Sequence, residues 1–395
     1  MNGVNDSLYI AWKYVTYNKL KTIILVTCIT LIAFLPLSLQ ILLDESELQL
    51  RTRAIETPLV VGAKGSVLDL VMNSLYFDKE VPQLISMQAL QQLETTDFAV
   101  PVPLYIRFKA RGFPIIGTTL DYFDFRQLSI KQGRMLAVLG ECVIGADVAK
   151  QLDLSPGDSL ISSPENLFDL AGIYPLKMKV VGVLGRSHSI DDIGIFADVK
   201  TTWIIQGLGH GHMDVTQTED NSVILKKDSE SVTANAKLVQ FTEITKDNLD
   251  SFHFHGDAKH YPLTAVIALP HNKKSSTILR GRYIENKEFQ ITKPVEVING
   301  LMENIFRIKN VLDAVIVIVG FTTFIAILLV FSLSLRLRKG EINTIFKLGC
   351  SRLTIARLLS AEIFIVIVIS SMICGVLLIM VNTHSQDLVR LLFVN

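Results

Sequence analysis

The chain has 395 residues, 49% of them hydrophobic, and its 38 basic side chains balance 38 acidic ones to a formal net charge of zero. That balance excludes a nucleic-acid partner held by charge. The four cysteines exclude a disulfide-stapled ectodomain, because only Cys142 lies in the long central stretch, which its own apolar core must therefore hold together.

Apolar residues concentrate in three runs, over 23–43, 311–335 and 358–381, with about 265 mostly polar residues between the first and second. A helix needs roughly 20 residues to cross about 30 Å of hydrocarbon, so each run predicts a transmembrane helix, one N-terminal and two C-terminal. Lys13, Lys19 and Lys21 precede the first run, and Asp44, Glu45 and Glu47 follow it. The connector between the second and third runs holds Arg336, Arg338, Lys339, Lys347, Arg352 and Arg357 against Glu341 alone. Basic loops stay on the cytoplasmic side, so the amino terminus and connector face inward, and the large domain and carboxyl terminus face outward. The first run is too long for a signal-peptide core and should remain as an anchor, with a kink at Pro36.

The expected order is a cytoplasmic segment 1–21, a span over 22–43, an outer domain 44–308, a span over 309–335, a cytoplasmic segment 336–357, a span over 358–381 and an outer tail 382–395. The outer domain opens with an amphipathic continuation of the first helix carrying Leu48, Leu50 and Ala54, then a strand at 58–62 and a helix at 67–75. Strands follow at 99–107 and 114–118, and near the end of the domain a strand at 263–269 precedes a helical stretch at 295–310. Strand and helix alternation predicts one mixed α/β subdomain built from 44–130 and 226–308. The stretch 131–225 reads as an inserted β-rich subdomain, with a strand at 140–145, a helix at 146–152, a turn at Ser155-Pro-Gly-Asp158 and a strand at 177–184. The fold class is thus an α+β membrane protein.

Several of these stretches carry a resemblance. Gly133-Arg134-x-Leu136, Gly140-Glu141-x-Val143-Ile144-Gly145-x-x-Val148-Ala149, Leu154-x-x-Gly157-Asp158 and Val180-Val181-Gly182-Val183-Leu184 follow one another in order. Together they resemble the periplasmic domain of MacB-type and LolC/LolE-type ABC transporter permeases, the FtsX-like group. The connector, Arg338-Lys339-Gly340-Glu341-Ile342-x-x-Ile345-x-x-Leu348-Gly349-Cys350-Ser351-Arg352, looks like the charged cytoplasmic segment of the same family. The resemblance implies a porter-like periplasmic domain in the bacterial inner membrane, a second permease copy as partner, and two cytoplasmic ABC ATPase subunits that carry the ATP and magnesium. Such permeases usually have four spans, whereas 14 residues follow Val381. This leaves either a branch without the fourth helix or a chain that ends early.

No motif supplies catalysis. Gly112-x-x-x-x-Gly117-Thr118-Thr119 lacks the lysine of a phosphate-binding loop, and neither a Gly-x-Ser-x-Gly elbow nor a His-Glu-x-x-His helix occurs. The chain is expected to be a non-enzymatic permease energised by its partner. Read as a helix on the inner surface, the connector offers Ile342, Ile345, Phe346, Leu348 and Gly349 to a groove on an ATPase, flanked by Arg338, Lys339, Glu341 and Arg352. A plain positive-inside loop would show the same charge without that order. Glu362, near the inner end of the third span, is expected to reach the interface or to pair with a basic residue such as Arg357 or Arg336.

Histidine placement is the remaining signal. Seven of eight histidines lie between residues 187 and 271, including the pairs His210-Gly-His212 and His253-Phe-His255. In an extended segment residues i and i+2 share a face, so each pair can offer two imidazoles to one ion, with His260, His188, Asp214 or Asp257 completing a site. Four such ligands suit zinc. The alternative is that the pairs, 43 residues apart, never meet. Three functional readings follow: an ABC permease subunit, either in a zinc-linked system or exporting lipoprotein, lipid, peptide or drug; an FtsX-like regulator of a periplasmic hydrolase; and a passive metal-binding receptor. Membrane lipids and a periplasmic adaptor or substrate protein are the further partners implied.

Overall fold

The computed structural model describes residues 3–163, 175–211, 224–227, 232–234, 242–337, 339–347, 349 and 351–394. Leu50–Gly300 forms one compact unit; the chain up to Gln49 and from Leu301 forms a second.

The Leu50–Gly300 unit is organised by a ten-stranded mixed sheet. Its strands run in the order Phe289–Thr292, Leu59–Ala63, Ala265–Pro270, Ala99–Ala110, Phe113–Thr118, Ile195–Asp198, Glu141–Ile144, Lys177–Leu184 and Ile130–Gly133, with Ser159–Ile161 also paired to Lys177–Leu184. The central strands Phe113–Thr118 and Glu141–Ile144 are buried along their whole length, as strands covered on both faces must be, and so they read as apolar runs without alternation. Tyr105, Tyr122, Phe123 and Phe196 are among the largest fully buried side chains.

The sheet corrects the expected division into subdomains. Ile195–Asp198, from the middle stretch, pairs in parallel with Phe113–Thr118 through Ile115↔Ile195 to Thr118↔Asp198. The strands of 131–225 therefore extend the flanking sheet and carry helices of their own, Ala146–Leu152 and Val199–Ile205. The strand expected at 263–269 is two strands broken at Thr264, whose hydroxyl donates to Leu104 O (3.0 Å) and accepts from Ile106 N (3.2 Å). A helix at Lys273–Ile284 was not anticipated, although Asn272 caps it by accepting from Ser275 N at 2.8 Å.

The other unit consists of helices Gly3–Tyr17, Lys339–Lys347 and Arg352–Val394 together with the membrane-side parts of two long helices, Lys19–Glu56 and Pro294–Leu337. Lys19–Glu56 and Leu353–Ser385 are long and apolar enough to cross a membrane, and only 17% of each apolar window is buried. A soluble core helix would be mostly buried, so these surfaces call for lipid. Asp313–Thr322, inside Pro294–Leu337, is a shorter apolar stretch among the described residues. Val15, Leu25, Val26 and Val366 form an apolar cluster, and beside it Thr30 Oγ1 donates to Ser370 O at 3.4 Å. The expected segment 1–21 is largely helical, and 382–395 is no separate tail: the third long helix continues through it to Val394. Glu362 pairs with a basic residue, Lys21, whose Nζ lies 3.5 Å away, because the first long helix packs beside the third.

Candidate functional site

The histidine pairs meet. Gly209–Gly211 and Phe252–Phe254 form an antiparallel two-stranded ribbon in which His210 lies directly opposite His253. His255 N donates to Leu208 O at 2.9 Å, so the pairing continues one residue further and His255 shares the face of His253 and His210. The alternate positions explain the surrounding sequence. A Cβ on Gly209 would lie 2.8 Å from the Phe254 ring, and one on Gly211 would lie 2.7 Å from the Phe252 ring. The two phenylalanines thus cover the backbone of the opposite strand on one face, and the imidazoles are left together on the other.

One ligand nitrogen from each of His210, His253 and His255 lies within 4.8 Å of the other two. His255 Nε2 and His210 Nε2 are 3.3 Å apart, and the three ring centroids are separated by 4.7–5.1 Å. His253 Nδ1 is 3.1 Å from Ser251 O; a carbonyl can only accept, so Nδ1 carries the proton and Nε2 keeps its lone pair. His253 and His255 are exposed and His210 is half-buried, so an ion has access from solvent. The ribbon is fastened to the domain beside it: Tyr261 Oη donates to His255 O (3.1 Å), Trp203 packs edge-on against Tyr261, and Trp203 Nε1 donates to Pro262 O (2.8 Å). His260 lies on the neighbouring turn Ala258–His260 and is not one of the three, and Asp257 accepts there from Lys259 N. His188 N donates to Asp192 in another loop. His212 and Asp214 lie outside the described residues.

A second constellation went unnoticed in the sequence. Arg53, near the end of the helix Lys19–Glu56, donates from Nη1 to Asp191 Oδ2 (2.6 Å) and from Nη2 to Asp191 Oδ1 (2.9 Å). Tyr122 Oη accepts from Arg53 Nη2 (2.9 Å) and donates to Asp191 Oδ1 (2.7 Å), while Arg53 Nε donates to Leu75 O. Burial alone would raise the Asp191 carboxyl, but the Arg53 guanidinium, with Arg126 and the Tyr122 hydroxyl, holds it down at about 2. Burial, reinforced by the Asp191 charge, pushes the Tyr122 hydroxyl up to about 12. Arg53 stands in the charged last turns of its helix, beside Arg51 and Glu56, and nothing local in the sequence singles it out.

The motif residues are structural. Arg134 grips Glu141 with both guanidinium arms, and Glu141 Oε2 also accepts from Ala137 N (3.0 Å) and Val138 N (3.2 Å). Gly133 has φ +79°, and a Cβ there would lie 2.2 Å from Val181 O.

Residues 55–240 match the family described as the MacB-like periplasmic core domain. Over those residues the chain is similar to a MacB-like periplasmic core domain. Among solved structures it is similar to the periplasmic region of MacB from Actinobacillus actinomycetemcomitans, with 13% identity, 63% of this chain and 93% of that one covered, and a TM-score of 0.34. It is also similar to the extracellular domain of the noncanonic ABC-type transporter YknZ from Gram-positive bacteria, with 12% identity, 59% and 98% covered, and a TM-score of 0.32. No curated protein matches the chain. The motif residues Gly133, Arg134, Gly140 and Glu141, the buried Arg53–Asp191 pair's acidic partner and the strand Gly209–Gly211 all fall inside the MacB-like domain, whereas His253 and His255 lie after its matched residues.

Of the expected coupling residues, Lys339 and Phe346 stand on the helix Lys339–Lys347, and Phe346 is 48% exposed. Gly349, at φ +94°, closes that helix through a bond from its N–H to Phe346 O (3.0 Å). Arg338 and Leu348 lie outside the described residues, as do the side chains of Glu341, Ile342, Ile345 and Arg352.

Proposed function

We propose that this MacB-like chain is a permease subunit of an ABC transporter, in which a separate cytoplasmic ATPase acts on the connector and the periplasmic domain handles the substrate. The observation that carries this reading is the path of the backbone. Single helices, Lys19–Glu56 and Pro294–Leu337, lead from the apolar runs into the domain, and Pro294–Leu337 is followed at once by the short helix Lys339–Lys347 with its exposed Phe346. Pro294–Leu337 is one hydrogen-bonded rod of 44 residues, along which movement at the connector travels.

On this reading the protein has three spans, with the amino terminus and connector in the cytoplasm, and works as a dimer with a second permease copy in the bacterial inner membrane. ATP and magnesium belong to the partner ATPase. The buried Arg53 fastening transmits movement of the first helix to the domain, and the three-imidazole ribbon supports a transition-metal link in the system it serves.

The test is recovery of the tagged full chain from detergent-solubilised native membranes. Wild type is expected to bring down an ABC ATPase with vanadate-sensitive ATP hydrolysis. Phe346→Asp is expected to lose it while keeping its melting temperature. Equal ATPase recovery with Phe346→Asp would defeat the coupling reading.

A further inference from the structure

We infer that His210, His253 and His255 form an exchangeable binding site for a divalent transition ion, Zn2+ above all, with one coordination position open. The inference concerns the ribbon alone; only the side of the membrane that supplies the ion rests on the permease reading.

The geometry is that of a first coordination sphere. Two nitrogens each about 2.0–2.1 Å from a tetrahedral zinc lie about 3.3–3.4 Å apart. The Nε2 atoms of His210 and His255 are 3.3 Å apart. A hydrogen bond between two neutral imidazoles would give the same spacing, but it makes no demand on a third ring. Here the third ring lies within 4.8 Å, with its Nδ1 bonded to Ser251 O. That outer bond is the usual way a ligating histidine is held in the right tautomer and orientation.

The donor set selects the ion. Among the described residues the site offers three imidazoles and no carboxylate, a donor set that gives Ca2+ and Mg2+ none of the oxygen they require and suits Zn2+, Cu2+ or Ni2+. Among these, zinc accepts three nitrogens plus one exchangeable ligand without distortion, the arrangement of sites that keep a position open. A closed structural site would hold a fourth protein ligand and sit buried; this one is two-thirds made of exposed side chains. The sequence around it reads as a support for the same face. Gly209 and Gly211 leave room for Phe254 and Phe252, whose stacking over the opposite strand holds the ribbon's register and with it the His210–His253 pair. Because the ligands come from both strands, a bound ion also cross-links Gly209–Gly211 to Phe252–Phe254.

The full chain, purified in detergent through a tag without histidine and stripped with chelator, is titrated with ZnCl2 by calorimetry at pH 7.5, and Co2+ is used as a spectroscopic substitute. Expected are one ion per chain and intense visible Co2+ bands of a four-coordinate site. His210→Ala and His255→Ala each weaken binding by about 100-fold or more, since even outer-shell changes cost 10–100-fold. His260→Gln leaves binding as in wild type. Near-UV circular dichroism confirms that each variant keeps its fold, and His210→Asn serves if the alanine variant does not. Absence of binding, weak six-coordinate Co2+ bands, or wild-type affinity in the His210 and His255 variants would overturn the site. Any of these together with an undisturbed ATPase recovery removes the metal site and leaves the permease reading standing.

Discussion

Changing Arg53 to methionine should be among the most damaging single substitutions in the domain. The guanidinium makes two bonds to Asp191 (2.6 and 2.9 Å) and one to Tyr122 (2.9 Å), with side-chain exposure of 8% for Arg53 and 2% for Asp191. Methionine fills much of the same volume but strands a buried carboxylate, and breaking one side of such a pair costs about 3–5 kcal/mol. For a unit of this size that is a fall in melting temperature of roughly 6–20 °C, readable from the emission of buried Trp203 in the full chain. The double variant Arg53→Met with Asp191→Leu removes both charges, and should be more stable than the sum of the single losses by about 2 kcal/mol or more. The carboxyl's depressed pKa fixes the sign with pH. Held at about 2 when folded, against an ordinary value near 3.8, Asp191 contributes its full share above about pH 4 and loses it as pH falls towards 2. That share is roughly 2–3 kcal/mol, so the wild-type melting temperature should drop over this window more than that of the double variant. Additive single losses, agreeing within about 0.5 kcal/mol, would refute the claim that these groups act as one unit.

Gly133→Ala places a Cβ 2.2 Å from Val181 O at φ +79°; a loss of roughly 2–4 kcal/mol is expected in thermal melts, and a loss below about 1 kcal/mol would contradict the packing. Lys21→Ala leaves Glu362, whose side chain is 7% exposed, without its 3.5 Å cation, so the detergent-solubilised chain should melt lower, and adding Glu362→Gln should restore it. No recovery in the double variant would mean that the pair does not hold the helices. Burial pushes the Cys142 thiol up to about 12, so mass mapping after iodoacetamide treatment at pH 8 should find Cys142 unmodified in the folded chain and alkylated after denaturation.

Local patterning made several elements readable in advance. Ala146–Leu152 and Lys177–Leu184 lie where turn residues and β-branched runs place them, and Val67–Tyr76 is one residue longer than its apolar period suggests. What escaped was non-local. Nothing in residues 113–118 or 195–198 announces that the two strands pair in parallel, because fully buried strands lack the alternation that marks a partner face. Lys273–Ile284 escaped because its side chains are mostly polar and only its cap betrays it. The histidine spacing showed which imidazoles could share a face within each pair, and the ribbon register alone brought His210 opposite His253. The same spacing suggested His260, which the following turn carries out of the cluster. Arg53 and Asp191 are 138 positions apart, and neither belongs to a local motif.

The placement of Leu59–Ala63 has a consequence for how the chain is made. Its two neighbours in the sheet are Ala265–Pro270 and Phe289–Thr292, so neither edge of this buried strand can be paired until the ribosome has advanced some two hundred residues or more. At roughly 5–20 residues per second the wait is about 10–45 s. During that interval an apolar strand with two open edges stands next to the newly inserted first helix, which is the situation that invites wrong pairing. Messages or fragments truncated before residue 265 would leave it so permanently, and the quality of such a protein's biogenesis is set by whatever shelters its first strand until its last one arrives.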